Sequence, residues 1–216
     1  MRTLVRRLGS TMLCVLVLAV ASACTGPTAH HAQKRPAASS TPSASVGAGA
    51  TLTPKPVPLT VRVTRVSGRL GPQLRRSLEH NVGKTVRTYF EAAFLGGHYP
   101  RSDFSSAFSA FTRSTAHAAR KDRRLLTNVG LGPTTQSVTP KIEGAYLSVL
   151  APYKVAAGVS AHIHLEFVAN RGDKPARRVV LKGRLSLTHG KSGRWQIIAY
   201  HVSRSSHVVG SEGSGT

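Results

Sequence analysis

The apolar and polar positions of the chain fall into three regimes. Residues 12–21 are apolar without exception. Residues 25–58 show no hydrophobic period; Ala, Ser, Thr, Gly and Pro dominate, and six of the twelve prolines lie here. A stretch of that composition cannot build a core and is expected to be disordered. The periods of regular structure begin at Leu59. Leu59-Thr60-Val61-Arg62-Val63 alternates and predicts a short strand, which Gly68 and Gly71-Pro72 break. From Gln73 the period changes. Leu74, Leu78, Val82 and Val86 recur every four residues, joined by Tyr89, Phe90 and Ala93. That spacing predicts a long amphipathic helix stopping at Gly96-Gly97. Phe104, Ala107, Phe108 and Phe111 repeat it over a shorter stretch, with Asp103 placed as a cap. A third helix is expected over 114–126, with Ala116, Ala119 and Leu126 facing inward.

After Gly132-Pro133 the pattern is that of strands, over 142–150, 159–168, 177–188 and 195–203. Val159, Ala161, Ile163, Leu165 and Phe167 alternate with Ser160, His162, His164 and Glu166, so one face is buried and the other is wet or lines a cavity. Asn170-Arg171-Gly172-Asp173 and His189-Gly190-Lys191-Ser192-Gly193 supply hairpin loops. Helices followed by long strands predict an α+β domain over 59–205: N-terminal helices packed on one face of a curved antiparallel sheet of four to five strands. Residues 206–216 read as a polar tail. The order of elements, closing in Gly193-Arg194-Trp195-Gln196-Ile197, resembles the nuclear transport factor 2-like fold, which also includes SnoaL-like proteins and ketosteroid isomerases. Phe94-Leu95-Gly96-Gly97, Leu125-Leu126-Thr127-Asn128 and Lys182-Gly183-Arg184-Leu185 are similar to segments of uncharacterised lipoproteins of high-GC actinobacteria. The resemblance implies a cystatin-like cone but no particular chemistry, because one fold hosts many functions.

The apolar run at 12–21 is short for a membrane span, which needs ~20 residues. Preceded by Arg2, Arg6 and Arg7, it has the form of a secretory signal over 1–23. Its end, Ala21-Ser22-Ala23-Cys24, resembles a bacterial lipobox, with Ala21 where that motif usually has Leu. The resemblance implies cleavage before Cys24 and lipid attachment to its sulfur. The other of the two cysteines, Cys14, would leave with the signal, so Cys24 has no partner for an internal disulfide. Residues 24–58 then form a lipidated tether spanning roughly 30–35 Å as a flexible coil. The expected location is the outer face of the cytoplasmic membrane.

Charge narrows the partners. Thirty Lys and Arg against eight Asp and Glu give +22, and loss of Arg2, Arg6 and Arg7 with the signal leaves +19. No acid precedes Glu79. Outside a cell membrane such a field draws the domain toward anionic lipid or acidic wall polymer. Nucleic acid is not an expected partner, because the basic stretches lack interleaved aromatics and the compartment is wrong.

Candidate chemistry is sparse. His162, His164 and Glu166 share one strand face, but same-face neighbours sit ~6.5–7 Å apart and diverge, so pairing with Arg178, Lys182 or Arg184 on the next strand is expected, not a metal. His30 and His31 lie in the tether with no nearby carboxylate or thiolate. Glu91, Asp103 and His201 are the groups shortlisted for acid–base work. Asp103 reads better as a helix cap and Glu91 as a solvent-side residue. Alternation with Trp195, Ile197 and Ala199 turns His201 toward the interior, where Tyr89 and His201 would mark a pocket. No phosphate loop, dinucleotide fingerprint or zinc cysteine pattern is present, and no cofactor is expected. Three classes of function remain: a non-catalytic domain that binds an envelope protein or small apolar ligand, an isomerase or dehydratase-type enzyme, and an electrostatic adaptor.

Overall fold

In the computed structural model, which describes residues 57–190 and 192–210, the first alternating segment becomes β1 (Thr60–Gly68). The expected signal segment, Cys24, the expected tether up to residue 56 with His30 and His31, and residues beyond 210 lie outside the described residues. Val61 and Val63 face inward on β1. A register shift at Thr64 then changes the phase, so that Val66 pairs with Val149 and Arg65 points out beside Ser148.

Helix α1 (Pro72–Phe90) follows. Pro72 occupies the first turn, where its missing N–H has no intrahelical partner to lose. Leu78, Val82, Val86, Tyr89 and Phe90 are buried as the spacing predicted, whereas Leu74, in the first turn, is 48% exposed. Gly83 faces β1, where a Cβ would come within 2.9 Å of Val61 Cγ2, so the missing side chain lets the helix sit close. Glu79 fastens the same contact, its carboxylate accepting from Val63 N at 2.7 Å. The helix widens into one π-helical turn, Glu91–Leu95, and ends at Gly96, whose N–H donates to Glu91 O at 2.9 Å. Gly97 follows with φ 87°, so the stop falls where Gly96-Gly97 placed it.

The next two expected helices are shorter than predicted. A 3₁₀ turn, Ser105–Phe108, replaces the first; Phe104, not Asp103, is its N-cap residue, and Asp103 accepts from Ser105 N at 2.8 Å just ahead of it. The expected helix over 114–126 is split into α2 (Arg113–Ala119) and α3 (Arg123–Leu126). Four strands then run without helical interruption: β2 (Ser137–Ala151), β3 (Gly158–Arg171), β4 (Lys174–His189) and β5 (Trp195–Val208). β5 extends to Val208 because Ser205, Ser206, His207 and Val208 keep pairing with β4, so part of the expected polar tail belongs to the sheet.

The architecture is α+β, with spatial strand order β1-β2-β3-β4-β5. Two expectations are corrected. The helices are not N-terminal but lie between β1 and β2, and the sheet is mixed, since β1 pairs parallel to β2 while the other pairs are antiparallel. The cause is the connection: the whole helical segment separates β1 from β2, and a crossover of that length permits parallel pairing.

Between the helices and the inner sheet face lies one aromatic-rich core. All six phenylalanines are buried in it. Phe94 meets Phe167 of β3 with ring centroids 6.0 Å apart, and Tyr89 stacks edge-on against Phe94 at 5.9 Å and Phe111 at 5.2 Å. Among the described residues no helix is long and apolar enough to cross a membrane.

Candidate functional site

Tyr89 sits at the centre of the interior and is fully buried. Its hydroxyl donates to Leu126 O at 3.0 Å, and burial pushes its pKa far above the ordinary tyrosine value. It is therefore a neutral, satisfied core residue, with rings packed where a ligand would lie. Among the described residues, neither Tyr89 nor His201 lines the surface grooves at α3 and the end of β5, between α1 and β1, beside Trp195, or around Asp103.

His201 is on the other side of the sheet. The expected alternation fails because β5 carries a bulge: Leu187 pairs with Ile197 but Ser186 with Ala199, leaving Ile198 extra. The bulge is pinned by the helical layer. Ile197 N donates to Ala110 O at 2.9 Å, Thr112 N to Ile197 O at 2.9 Å, and the Thr115 hydroxyl to Ile198 O at 2.8 Å. One extra residue inverts every later side chain. Trp195 and Ile197 point in, then Tyr200, Val202 and Arg204, while His201 is exposed. Glu91 is exposed, as expected. Asp103 is held below the usual carboxylate range, first by the Ser105 backbone hydrogen bond and then by the Ser105 hydroxyl. A group so stabilised as an anion is a poor general acid near neutrality.

The interior does hold one carboxylate that alternation along β2 places there. Glu143 pairs with Leu165, an inward residue, and is only 5% exposed. Burial raises its pKa, the Arg87 guanidinium opposes this, and Glu91 adds to it. Its Oε2 is buried without a hydrogen-bond partner among the described residues. The sequence signal was available, because Glu143, Ala145, Leu147 and Val149 share one phase of the strand. Arg204 is the second residue that pattern reading missed. The β5 bulge turns it inward, where it donates to Arg124 O, Thr127 O and Asn128 Oδ1, and it lies 5.9 Å from the Phe94 ring centre. Its cation is satisfied by carbonyls alone.

The outer face is a different surface. Cross-strand register lines up Arg62, Tyr146, His162, Arg184 and His201 in one row over all five strands. The adjacent row contains Gly144, His164, Lys182 and Ser203. Glu166 pairs with Arg178 at 3.5 Å, one of the three cross-strand partners expected for it. His164 is lowered below the usual histidine range, mainly by partial burial and then by Lys182, with Glu166 opposing. Its Nε2 has no hydrogen-bond partner among the described residues. Among the described residues, no three His, Cys, Asp or Glu side chains gather to hold a metal ion.

A basic groove of about 810 Å³ runs between α3 and the end of β5, lined in part by Arg123, Arg124, Arg177 and Arg204. Two of these are already engaged: Arg204 as above, and Arg177 with the Ser206 hydroxyl at 2.9 Å and carbonyl at 3.1 Å. The groove's charge thus partly serves to hold β5 in place. No family model, curated protein or solved structure matches this chain.

Proposed function

We propose that the chain is an exported lipoprotein, anchored through Cys24 at the outer face of the cytoplasmic membrane, whose nuclear transport factor 2-like domain is a non-catalytic binding or scaffold module. The filled interior carries this reading. Tyr89, Phe90, Phe94 and Phe167 occupy the space a small apolar ligand would need, and the Tyr89 hydroxyl is committed to Leu126 O. That favours a partner bound on the surface over a ligand held inside. The anchor is supported by the residues around Cys24 and by the lone thiol the processed chain would retain. The intact mass of the chain taken from cells tests both parts. The expected species begins at Cys24, bears at least two acyl chains and, under native conditions, retains no small molecule; Cys24→Ala abolishes the acyl mass. A copurifying apolar ligand would sink the closed-interior reading.

Glu143 favours a second reading, acid–base chemistry. A carboxyl raised by burial is the kind of group that transfers protons near neutrality. None of the clefts described above reaches it, so this reading requires the helical layer to open. Exchange of deuterium into a carbonyl compound by the parent chain, lost in Glu143→Gln, would establish it; no exchange above buffer would dismiss it.

A further inference from the structure

One end of the sheet combines two properties that soluble surfaces rarely place together. β1 and β2 both finish there, with Gly68 beside Ala151, and Arg69 N donates to Ala151 O at 3.2 Å. The turn into α1 and the β2–β3 turn are therefore neighbours. Exposed apolar side chains concentrate on these two turns and their edges: Tyr153 is 87% exposed, Val155 63%, Leu150 53% and Leu74 48%. They are the four most exposed large hydrophobic residues of the described chain. The β2–β3 turn presents them by its geometry. Ala157 N closes it onto Leu150 O at 2.8 Å, and Lys154 takes a left-handed conformation, φ 63°, between the two most exposed side chains.

Cations surround these apolar groups. Arg69, Arg75 and Arg76 are exposed on the α1 side, Lys154 lies within the turn, and Arg194 stands on the adjacent β4–β5 connection. None of the chain's eight acids lies in residues 65–76, 149–158 or 186–196. Glu79, the nearest acid along α1, is spent on Val63 N. Exposed Tyr and aliphatic groups ringed by Arg and Lys match the interface of an anionic bilayer, where rings sit at headgroup level and cations meet phosphate. A second copy of this chain would set like charges against each other, and a soluble polyanion would leave Tyr153 and Val155 in water. We propose that this end, led by Tyr153 and Val155, docks on an anionic phospholipid surface. The proposal depends on the lipid-anchor reading only for keeping a bilayer within reach.

Quenching by acyl-brominated lipid separates the two. The full chain would be purified from cells as parent, Tyr153→Trp and Asp173→Trp, the last at the opposite β3–β4 turn beside the basic groove. Each is mixed with brominated phosphatidylcholine–phosphatidylglycerol vesicles, and the parent signal, due to Trp195, is subtracted. Expected is quenching of the added tryptophan at 153 roughly twofold or more above that at 173, lost in neutral vesicles and in Arg69→Glu with Lys154→Glu. Unchanged melting of that double variant would show that the fold is intact. No excess at 153, or a larger effect at 173, overturns the proposal. Retention on a soluble phosphodiester polymer without quenching also overturns it and assigns the basic end to a polyanion. Acyl mass on Cys24 is read from the same samples: quenching at 153 without that mass refutes the anchor and leaves the docking surface standing.

Discussion

The two sides of the sheet solve opposite problems. The inner side collects all six phenylalanines and Tyr89, and the Tyr89 hydroxyl is used up on backbone. The outer side and the β1–β2 end keep arginines, histidines and several apolar groups in water, including Tyr146 at 44% and Tyr153 at 87% exposure. Exposing large apolar groups beside cations does nothing for the fold, whereas packing aromatics inside does. The contrast fits the proposed surface-binding reading, in which the inner side holds the structure up and the outer surfaces meet other molecules.

Truncation inside should break this division most severely. Phe94→Ala removes a ring that touches both Tyr89 and Phe167, and is expected to cost ~3–5 kcal/mol, read as a lower midpoint of denaturant unfolding. Tyr153→Ala should shift the same midpoint by no more than ~0.5 kcal/mol. Comparable losses at both positions would erase the distinction. A smaller effect sharpens it. Tyr89→Phe keeps the ring but leaves Leu126 O without its donor, for an expected ~1–2 kcal/mol. Were the hydroxyl poised toward a ligand instead, its loss would be nearly neutral for folding.

The strands and α1 were legible because each has a sustained period. The π-helical turn, the break between α2 and α3 and the parallel placement of β1 were not, since they depend on how distant segments meet. The candidate site shows the limit most plainly. Period two along β5 puts His201 beside Trp195 and Ile197, and only the extra residue Ile198 reverses it. That bulge is fixed by Ala110, Thr112 and Thr115, more than eighty residues earlier in the chain, and no local signal at Ile198 announces them. By contrast, Glu166 found its arginine across the strand because both lie in regular segments. Glu143 was readable from phase alone, but a lone carboxylate among inward valines and leucines is an exception to the pattern that finds strands.

Among the described residues, each side of the sheet also carries one titratable group whose buried atom lacks a partner, and their pH dependence should run in opposite directions. Glu143, raised by burial, favours the folded state fully below about pH 4.5, the ordinary glutamate value, and that contribution is lost as pH rises through its higher native pKa. Glu143→Gln, which cannot ionise, should therefore unfold at a higher denaturant midpoint than the parent at neutral pH, with the advantage shrinking toward acid. His164 is lowered, so its contribution is present above about pH 6.5 and is lost as pH falls through its depressed native pKa. The parent should lose stability as pH falls below about 6.5 and through the depressed native pKa, and His164→Gln should lose less. The second effect is expected to be the smaller, because His164 is only partly buried and Glu166 offsets Lys182 beside it. If His164→Gln instead steepened the acid loss, the imidazolium would be favoured in the folded state. The outer face would then already supply an anion to that row, and its cations would not be waiting for one from outside.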